Sequence, residues 1–430
     1  MAQTTVASGS NLAVTQFSAA LTSQIIRAPG NLNSLTGKAP TQKEAEAQIK
    51  QQTNAGSPFI RVADLNTDPK GDQVTVDAFN IVGGKPIMGD RNAEGLGKKL
   101  VSSSFQVKID LATFNVDAGG KMSQQRTRHN LLTMAKAESL AYFPRLVWQR
   151  AIVHSAGARG LQAGTSWDVP LQADTDFAEV MINPVKCPTY NRHLVVNGTG
   201  FVRGGQQLGS IATTDKWKLS CLDNLALFLE NAETQLPPIR MDGDEQAYDA
   251  PLKGVLWLSP SSYNDLVTDM TVGSNLRFFQ ANIEQRQKYA KETALFRGEA
   301  GIWRGIVVKK MNHSIFHNAS SGVQFISLAN RLTETESTAT VNAAIGATNQ
   351  VERAIFMGAQ ALARAEGSSN SGLQAGIIEN AYNGGRNFEY LTEFMGGEAK
   401  FRFRFPNENG DAEPTDNGIY VIDACTAKTA

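Results

Sequence analysis

Two stretches early in the chain follow a period of two. Gly71-Asp72-Gln73-Val74-Thr75-Val76-Asp77 alternates apolar with polar residues, and a second stretch places Phe105, Val107, Ile109 and Leu111 on one face of a strand. Between them Gly83, Gly84, Gly89, Gly95 and Gly97 break every regular period. The connection is about twenty residues long, far beyond what a hairpin normally uses, and a loop of that length in a compact domain signals function. A two-stranded ribbon on its own buries too little to be stable in water. The pattern therefore predicts an outside cover for the ribbon, such as a neighbouring copy of the same chain.

A helical period follows. Ser123 to Ser155 lacks glycine and carries Leu131, Leu132, Met134, Ala135, Leu140, Leu146, Val147, Ala151 and Ile152 at helical spacing. Pro144 removes one backbone hydrogen bond, which predicts a kink near Ala141 to Pro144 or two abutting helices. Asn197 to Gly209 reads as a glycine-rich turn, and Lys218 to Leu236 as a helix stopped by Pro237-Pro238. Val255-Leu256-Trp257-Leu258 reads as a buried strand, with Ser259-Pro260 capping and opening a helix. Ile302 to Val308, Val323 to Leu328 and Ala354 to Met357 read as strands, Ala359 to Ala365 as a helix ended by Gly367, and Glu398 to Phe405 and Ile419 to Ile422 as final strands. The first 58 residues form a polar arm with room for two short helices, one capped by Ser10 and one opened by Thr41 with Glu44. Together these elements predict an α+β fold without a regular βαβ array.

Length divides the chain further. At 430 residues it exceeds the roughly 250–300 at which one hydrophobic core stops growing, so more than one lobe is expected. Lys plus Arg equals Asp plus Glu at 41 each, which gives no general drive toward nucleic acid or anionic membrane. The distribution is uneven. Lys121 to Arg159 has seven basic residues against Glu138 alone, a local balance of plus six, whereas Asn370 to Cys425 has nine acidic and four basic residues, a balance of minus five. Cys187, Cys221 and Cys425 are scattered without pairing signals and suit a reducing compartment. Neither a standard secretion signal nor a membrane-length apolar run is found in the sequence.

A search for chemistry returns fragments. His313 and His317 are four apart, but Ser-Ile-Phe between them lacks the glutamate of a zinc protease. Gly198, Gly200 and Gly204 have the wrong last spacing for a dinucleotide fingerprint, and Gly37-Lys38 lacks the rest of a phosphate loop. Asp242, Asp244, Glu245 and Asp249 crowd one loop without calcium-ligand spacing, and a solvated acidic loop accounts for them. No nucleophile elbow occurs. The chain is therefore read as not an enzyme, with no metal or cofactor. For the basic helix two readings stand. Its exposed residues, Arg126, Arg128 and Lys136 among them, lie against packaged nucleic acid and offset phosphate charge without reading sequence, or they form an ordinary solvated face or pair with the acidic C-terminal strands.

The order of elements, from polar arm through extended ribbon, long helix and α/β lobe to returning strands, resembles the major capsid proteins of tailed bacteriophages of the Hong Kong phage type. Gly71-Asp72-Gln73-Val74-Thr75, Gly89-Asp90, Glu94-Gly95, Val107-Lys108-Ile109-Asp110 and Gln124-Gln125-Arg126 resemble a podophage branch of that family. So do Arg353-Ala354-Ile355-Phe356-Met357-Gly358-Ala359-Gln360-Ala361 and Gly397-Glu398-Ala399-Lys400-Phe401, and the similarity spans about Phe59 to Cys425. The resemblance implies an N-terminal arm at 1–58, an extended loop at 59–121, a peripheral domain with the long spine helix at 122–218, an axial domain at 219–365 and C-terminal strands returning to the peripheral domain at 366–430.

It further implies a virion subunit, assembled in the bacterial cytoplasm into pentamers and hexamers of an icosahedral shell around double-stranded DNA. Gly83, Gly84, Gly89, Asp90, Gly95, Lys98 and Lys99 would then be inter-subunit loop residues. Lys98 and Lys99 lie near the loop tip, but no partner asparagine or catalytic acid for a covalent cross-link is evident, so non-covalent assembly is expected. Fifty-eight residues is short for a removable scaffolding domain, which points to a separate scaffolding protein. A portal protein, a decoration protein and non-specific contact with packaged DNA complete the expected partners, with no membrane. The rival within the fold is a bacterial compartment shell enclosing cargo enzyme; a catalytic role, which would need an acid, base or nucleophile cluster in a pocket, comes third.

Overall fold

Strands outnumber helices along the whole described chain. The computed structural model describes residues 56–62, 71–79, 87, 102–161, 167–232, 234–239, 253–271, 301–368, 375–382, 384–406 and 412–428. β1 (Phe59–Val62) is followed by the ribbon strands β2 (Gln73–Phe79) and β3 (Ser102–Lys108), then β4 (Asp110–Gly120). Helices α1 (Lys121–Arg126), α2 (Leu131–Ala156) and α3 (Phe177–Met181) lead to a hairpin of β5 (His193–Asn197) and β6 (Gly200–Arg203). Then come α4 (Leu219–Glu230), β7 (Gly254–Leu258), α5 (Pro260–Thr271), β8 (Gly301–Trp303), β9 (Ile306–Lys310), β10 (Ile315–His317), β11 (Gly322–Ile326) and β12 (Glu336–Thr340). The chain finishes with β13 (Asn349–Met357), β14 (Leu362–Glu366), β15 (Ala375–Tyr382), β16 (Asn387–Lys400), β17 (Arg402–Pro406), β18 (Ala412–Asp416) and β19 (Ile419–Ala427).

Eight strands build the larger sheet, in the order β6-β5-β19-β13-β7-β9-β8 with β10 also on β13. Alternation along each strand feeds two cores. Val255, Trp257, Ile355 and Met357 face the core that contains the second half of α2, where Trp148 meets Trp257 edge to face at 5.8 Å. Leu256, Leu258, Phe356 and Ile422 face the opposite core under Leu222 and Leu225 of α4 and Leu266 of α5. Each such side chain, taken fully out of water, contributes about 1.5–3 kcal/mol. The smaller sheet runs β1-β14-β16-β15, with β4 on β16, and the first half of α2 covers it through Phe114 stacked on Tyr142 at 3.8 Å and Phe143 against Phe394 at 5.8 Å. Helix α2 therefore bridges both sheets. Strands β5, β6 and β19 come from outside the 219–365 span expected for the axial lobe, yet they share its sheet because β19 inserts between β5 and β13.

Two expectations fail here for physical reasons. The helix expected over 123–155 is split at 127–130, and Pro144 lies inside an unbroken α2. Asn130 caps α2 by accepting from the Thr133 N–H at 3.3 Å, while the Gln124 side chain donates to His129 O at 2.8 Å and accepts from Leu131 N at 3.0 Å. These side chains make the turn a better terminus than the proline, whose buried ring packs into the core. Most of the helix expected over Ala359 to Ala365 is instead strand, since residues 362–365 belong to β14. This strand pairs with both β1 and β16, and the sheet satisfies its backbone more fully than the alanine-rich local preference for helix could.

The ribbon pattern also needs a correction. Val107 is fully buried on the same face as Phe105 and Ile109, but the strand breaks at Ile109 and the parity flips, so the inward residues of β4 are Ala112, Phe114, Val116 and Ala118. Leu111, expected on the inward face, is 48% exposed.

Candidate assembly site

The root of the ribbon is packed by its own chain. Val107 joins Val62, Ala363, Ala365, Ala399, Phe401 and Phe403 in a cluster, with Val74, Val76 and Phe105 partly buried against it. At the parity flip the Asn183 side chain replaces a neighbouring strand. Lys108 N–H donates to its Oδ1 at 2.9 Å, and its amide donates to Lys108 O at 2.9 Å and to Glu398 O at 3.1 Å. Gly397 permits the approach, since a Cβ there would overlap Lys108 O. Beside this clamp lies an open groove of about 620 Å³, lined by Ser103, Gln106, Lys108, Lys186, Glu334, Arg402 and Arg404 among others.

Buried ion pairs hold the surrounding strands. Asp416 takes Lys400 at 2.8 Å and Arg402 at 2.8 Å, and Arg402 reaches Glu334 at 2.9 Å. Arg150 of α2 meets Glu398 at 2.8 Å, and Arg61 of β1 meets Glu366 at 3.0 Å. On the larger sheet Asp423 receives both Arg353 Nε and Nη2 at 2.9 Å and lies 2.7 Å from His193 Nε2. Arg353 also reaches Ala156 O at the end of α2 at 3.5 Å. Burial alone would raise the Asp423 carboxyl, but Arg353 and His193 hold it well below the usual carboxylate range. None of these residues was singled out from the sequence as part of a network; their partners are up to 230 positions apart, and the only local signal was charge within otherwise apolar strand patterns.

Burial sets the protonation of the thiols, imidazoles and amine nearby. Burial pushes the Cys187 thiol up to about 12 and Cys425 up to about 11, so neither is a ready nucleophile. Burial, helped by the charge of Arg150 for His154 and of Arg353 for His317, pushes both imidazoles down to about 3 and keeps them neutral. Burial lowers the Lys309 amine to about 8, beside the Trp257 ring, but no acid accompanies it among the described residues. Among the described residues no group of three or more His, Cys, Asp or Glu could hold a metal, and no helix is long and apolar enough to cross a membrane. The pair His313 and His317 does not converge on a metal: His317 is buried and His313 lies edge-on to Trp167 at 5.4 Å.

A sequence profile described as "Phage capsid protein" matches residues 5–428. The chain belongs to the phage capsid protein family. Solved structures similar to this capsid protein include the capsid of Ralstonia phage GP4, at 22% identity and TM-score 0.64 over 88% of this chain and 89% of that one. The cyanophage Pam1 capsid follows at 17% identity and TM-score 0.59, over 87% and 90%. The head of Helicobacter pylori bacteriophage KHP40 aligns at 12% identity and TM-score 0.54, over 92% and 91%. At these identities the likeness fixes the fold. A search of curated protein sequences found no significant match. The α+β fold is thus the phage capsid fold, and the capsid protein's place is the virion shell that copies of it assemble to form.

In this capsid protein Arg126 is exposed on α1 and Arg128 is exposed in the turn before α2, and neither has an ion-pair partner among the described residues. Lys136 is half-buried on α2, where burial lowers its pKa and the charge of Glu379 opposes that shift. These three basic residues share one region, from α1 to the start of α2. The loop residues Gly83, Gly84, Gly89, Asp90, Gly95, Lys98 and Lys99 lie outside the described residues.

Proposed function

We propose that the chain is the major coat subunit of a tailed phage and that its copies close into an icosahedral shell around double-stranded DNA by non-covalent contacts, without enzymatic activity. The observation that carries the reading is the family match over residues 5–428. It favours a phage shell over a cargo compartment. Support for non-covalent closure comes from the cysteines, all three of which are buried and free. The larger sheet with α4 and α5 serves as the axial lobe, and the smaller sheet with α2 as the peripheral lobe.

In this reading the extended loop reaches a neighbouring subunit through the segment that holds Lys98 and Lys99, while the Asn183 clamp fixes its root. Arg126, Arg128 and Lys136 offset phosphate charge on packaged DNA. A separate scaffolding protein directs assembly, and portal and decoration proteins meet the finished lattice. Expression with and without the scaffolding partner, followed by sedimentation and negative-stain electron microscopy, tests the proposal. Closed shells, or rings of five and six, support it; a monomer under both conditions overturns it.

Two variants extend the test. Deleting Gly83 to Lys99 leaves folded lobes and abolishes closed shells, and normal particles from that deletion would refute the loop's role. Replacing Arg126, Arg128 and Lys136 with glutamine alters genome retention or interior salt sensitivity more than subunit unfolding; unchanged packaged particles assign those residues to solvent.

A further inference from the structure

We propose that the fold holds a small monovalent anion, chloride or one of its size, at Arg364, in the polar layer between the smaller sheet and α2. Such a site serves the single subunit and stands apart from the shell reading above.

Strand register lays the layer out. β14 pairs with β1 in parallel and with β16 antiparallel, so Arg61, Arg364 and Glu398 stand side by side in one row. Glu366 is two residues further along β14 and therefore on the same face. That face also carries Leu362 and Phe394, which join the core under α2, whereas Ala363, Ala365 and Ala399 turn to the ribbon side. From α2, Arg150 comes down on Glu398 at 2.8 Å, and Arg61 meets Glu366 at 3.0 Å. Among the described residues three guanidiniums thus share two carboxylates, and each carboxylate is already engaged by another arginine.

Arg364 is the cation left over. It is 2% exposed, and its Nε and Nη2 have no hydrogen-bond acceptor among the described residues. Burial lowers its pKa; the charges of Glu366 and Glu398 oppose the shift, and those of Arg61 and Arg150 add to it. A guanidinium nevertheless keeps its proton in a protein, and a buried charge without a counter-ion is strongly disfavoured. Water can accept from the guanidinium but leaves the charge in place, whereas an anion does both. It must be monovalent, since a second negative charge would stand against Glu366 and Glu398. It must also be small, because no side chain of the two ion pairs is more than 10% exposed. The way in is the open groove of about 620 Å³, whose lining includes Lys400 and His154. Lys400 is two residues along β16 from Glu398, and His154 one turn along α2 from Arg150, so the groove opens beside the same layer. Lys108 and Lys186, exposed in its lining, draw anions toward it.

Equilibrium dialysis of the full chain against radioactive chloride, with gluconate making up the ionic strength, counts the ion, and a urea series in the same buffers reads its effect. The expected result is about one chloride retained per chain, with an unfolding constant that falls about tenfold for each tenfold rise in chloride once the site is filled. Arg364→Met removes the excess charge but keeps an apolar stem, and it is expected to abolish both the retained ion and the chloride dependence. No chloride on the unsubstituted chain, or the same unfolding constant in chloride and gluconate, overturns the proposal. Retention of the ion by Arg364→Met overturns it equally. If that variant does not fold, Arg61→Met takes its place, since it cancels the same excess from the neighbouring strand and frees Glu366 for Arg364; an ion still retained there counts against the site.

Discussion

The clamp at the root of the ribbon makes a sharp demand on one side chain. Replacing Asn183 with alanine removes three hydrogen bonds, two to the Lys108 main chain and one to Glu398 O, from a side chain that is 4% exposed. A hydrogen bond is worth about 1 kcal/mol net, and a buried polar group left without a partner costs about 1–3 kcal/mol. Partial access of water at Lys108 places the total at about 2–4 kcal/mol. With a urea slope of about 3 kcal/mol/M, the unfolding midpoint of the unassembled subunit falls by about 1 M. Asn183→Asp keeps an acceptor for Lys108 N–H but places a carboxylate against two carbonyls, so it is expected to destabilise at least as much as alanine. Urea titration followed by tryptophan fluorescence reads both, since Trp148 and Trp257 lie in the core under α2. An unchanged midpoint in Asn183→Ala would refute the claim that this amide substitutes for a strand.

Two further outcomes concern charge in the core. His154 and His317 are neutral in the fold and titrate near 3 rather than at the ordinary 6.5, so between those values the unfolded chain binds more protons and stability rises with pH. It is full above about 6.5 and falls by up to about 1.4 kcal/mol per pH unit for each histidine as pH drops toward 3; His154→Gln with His317→Gln flattens the acid limb of a denaturation series, and an unchanged limb counts against the assignment. Asp423→Asn leaves Arg353 buried without its carboxylate and costs about 3–5 kcal/mol, whereas Arg353→Met combined with Asp423→Leu recovers part of the loss; a thermal melt of Asp423→Asn indistinguishable from the parent would show that the pair contributes little.

Sequence pattern carried the large elements because their periods are produced by burial itself. β7 is buried at every position, and Ser259 does cap α5, accepting from Ser262 N at 3.2 Å while Glu352 accepts from its hydroxyl at 2.6 Å. What the pattern missed depends on tertiary contact. Ala363 and Ala365 prefer helix in isolation, and only β1 and β16, far away in sequence, make them strand. Pro144 is accommodated inside one continuous helix with its ring buried, and the better-capped break at Asn130 relies on Gln124 reaching across the turn. The exposed cations Arg126 and Arg128 were legible in the sequence only as a charge excess. Asn183 was not, because a lone asparagine in a loop gives no sign that two strands will come to it.

The position of β19 sets the order of events during synthesis. It lies between β5 and β13, pairing with both, so the larger sheet has a gap through its middle until residues 419–427 have left the ribosome. A chain arrested before Ile419 lacks not a tail but the strand that joins the two halves of that sheet. A subunit without β19 therefore reaches a growing lattice with no closed lobe to offer it.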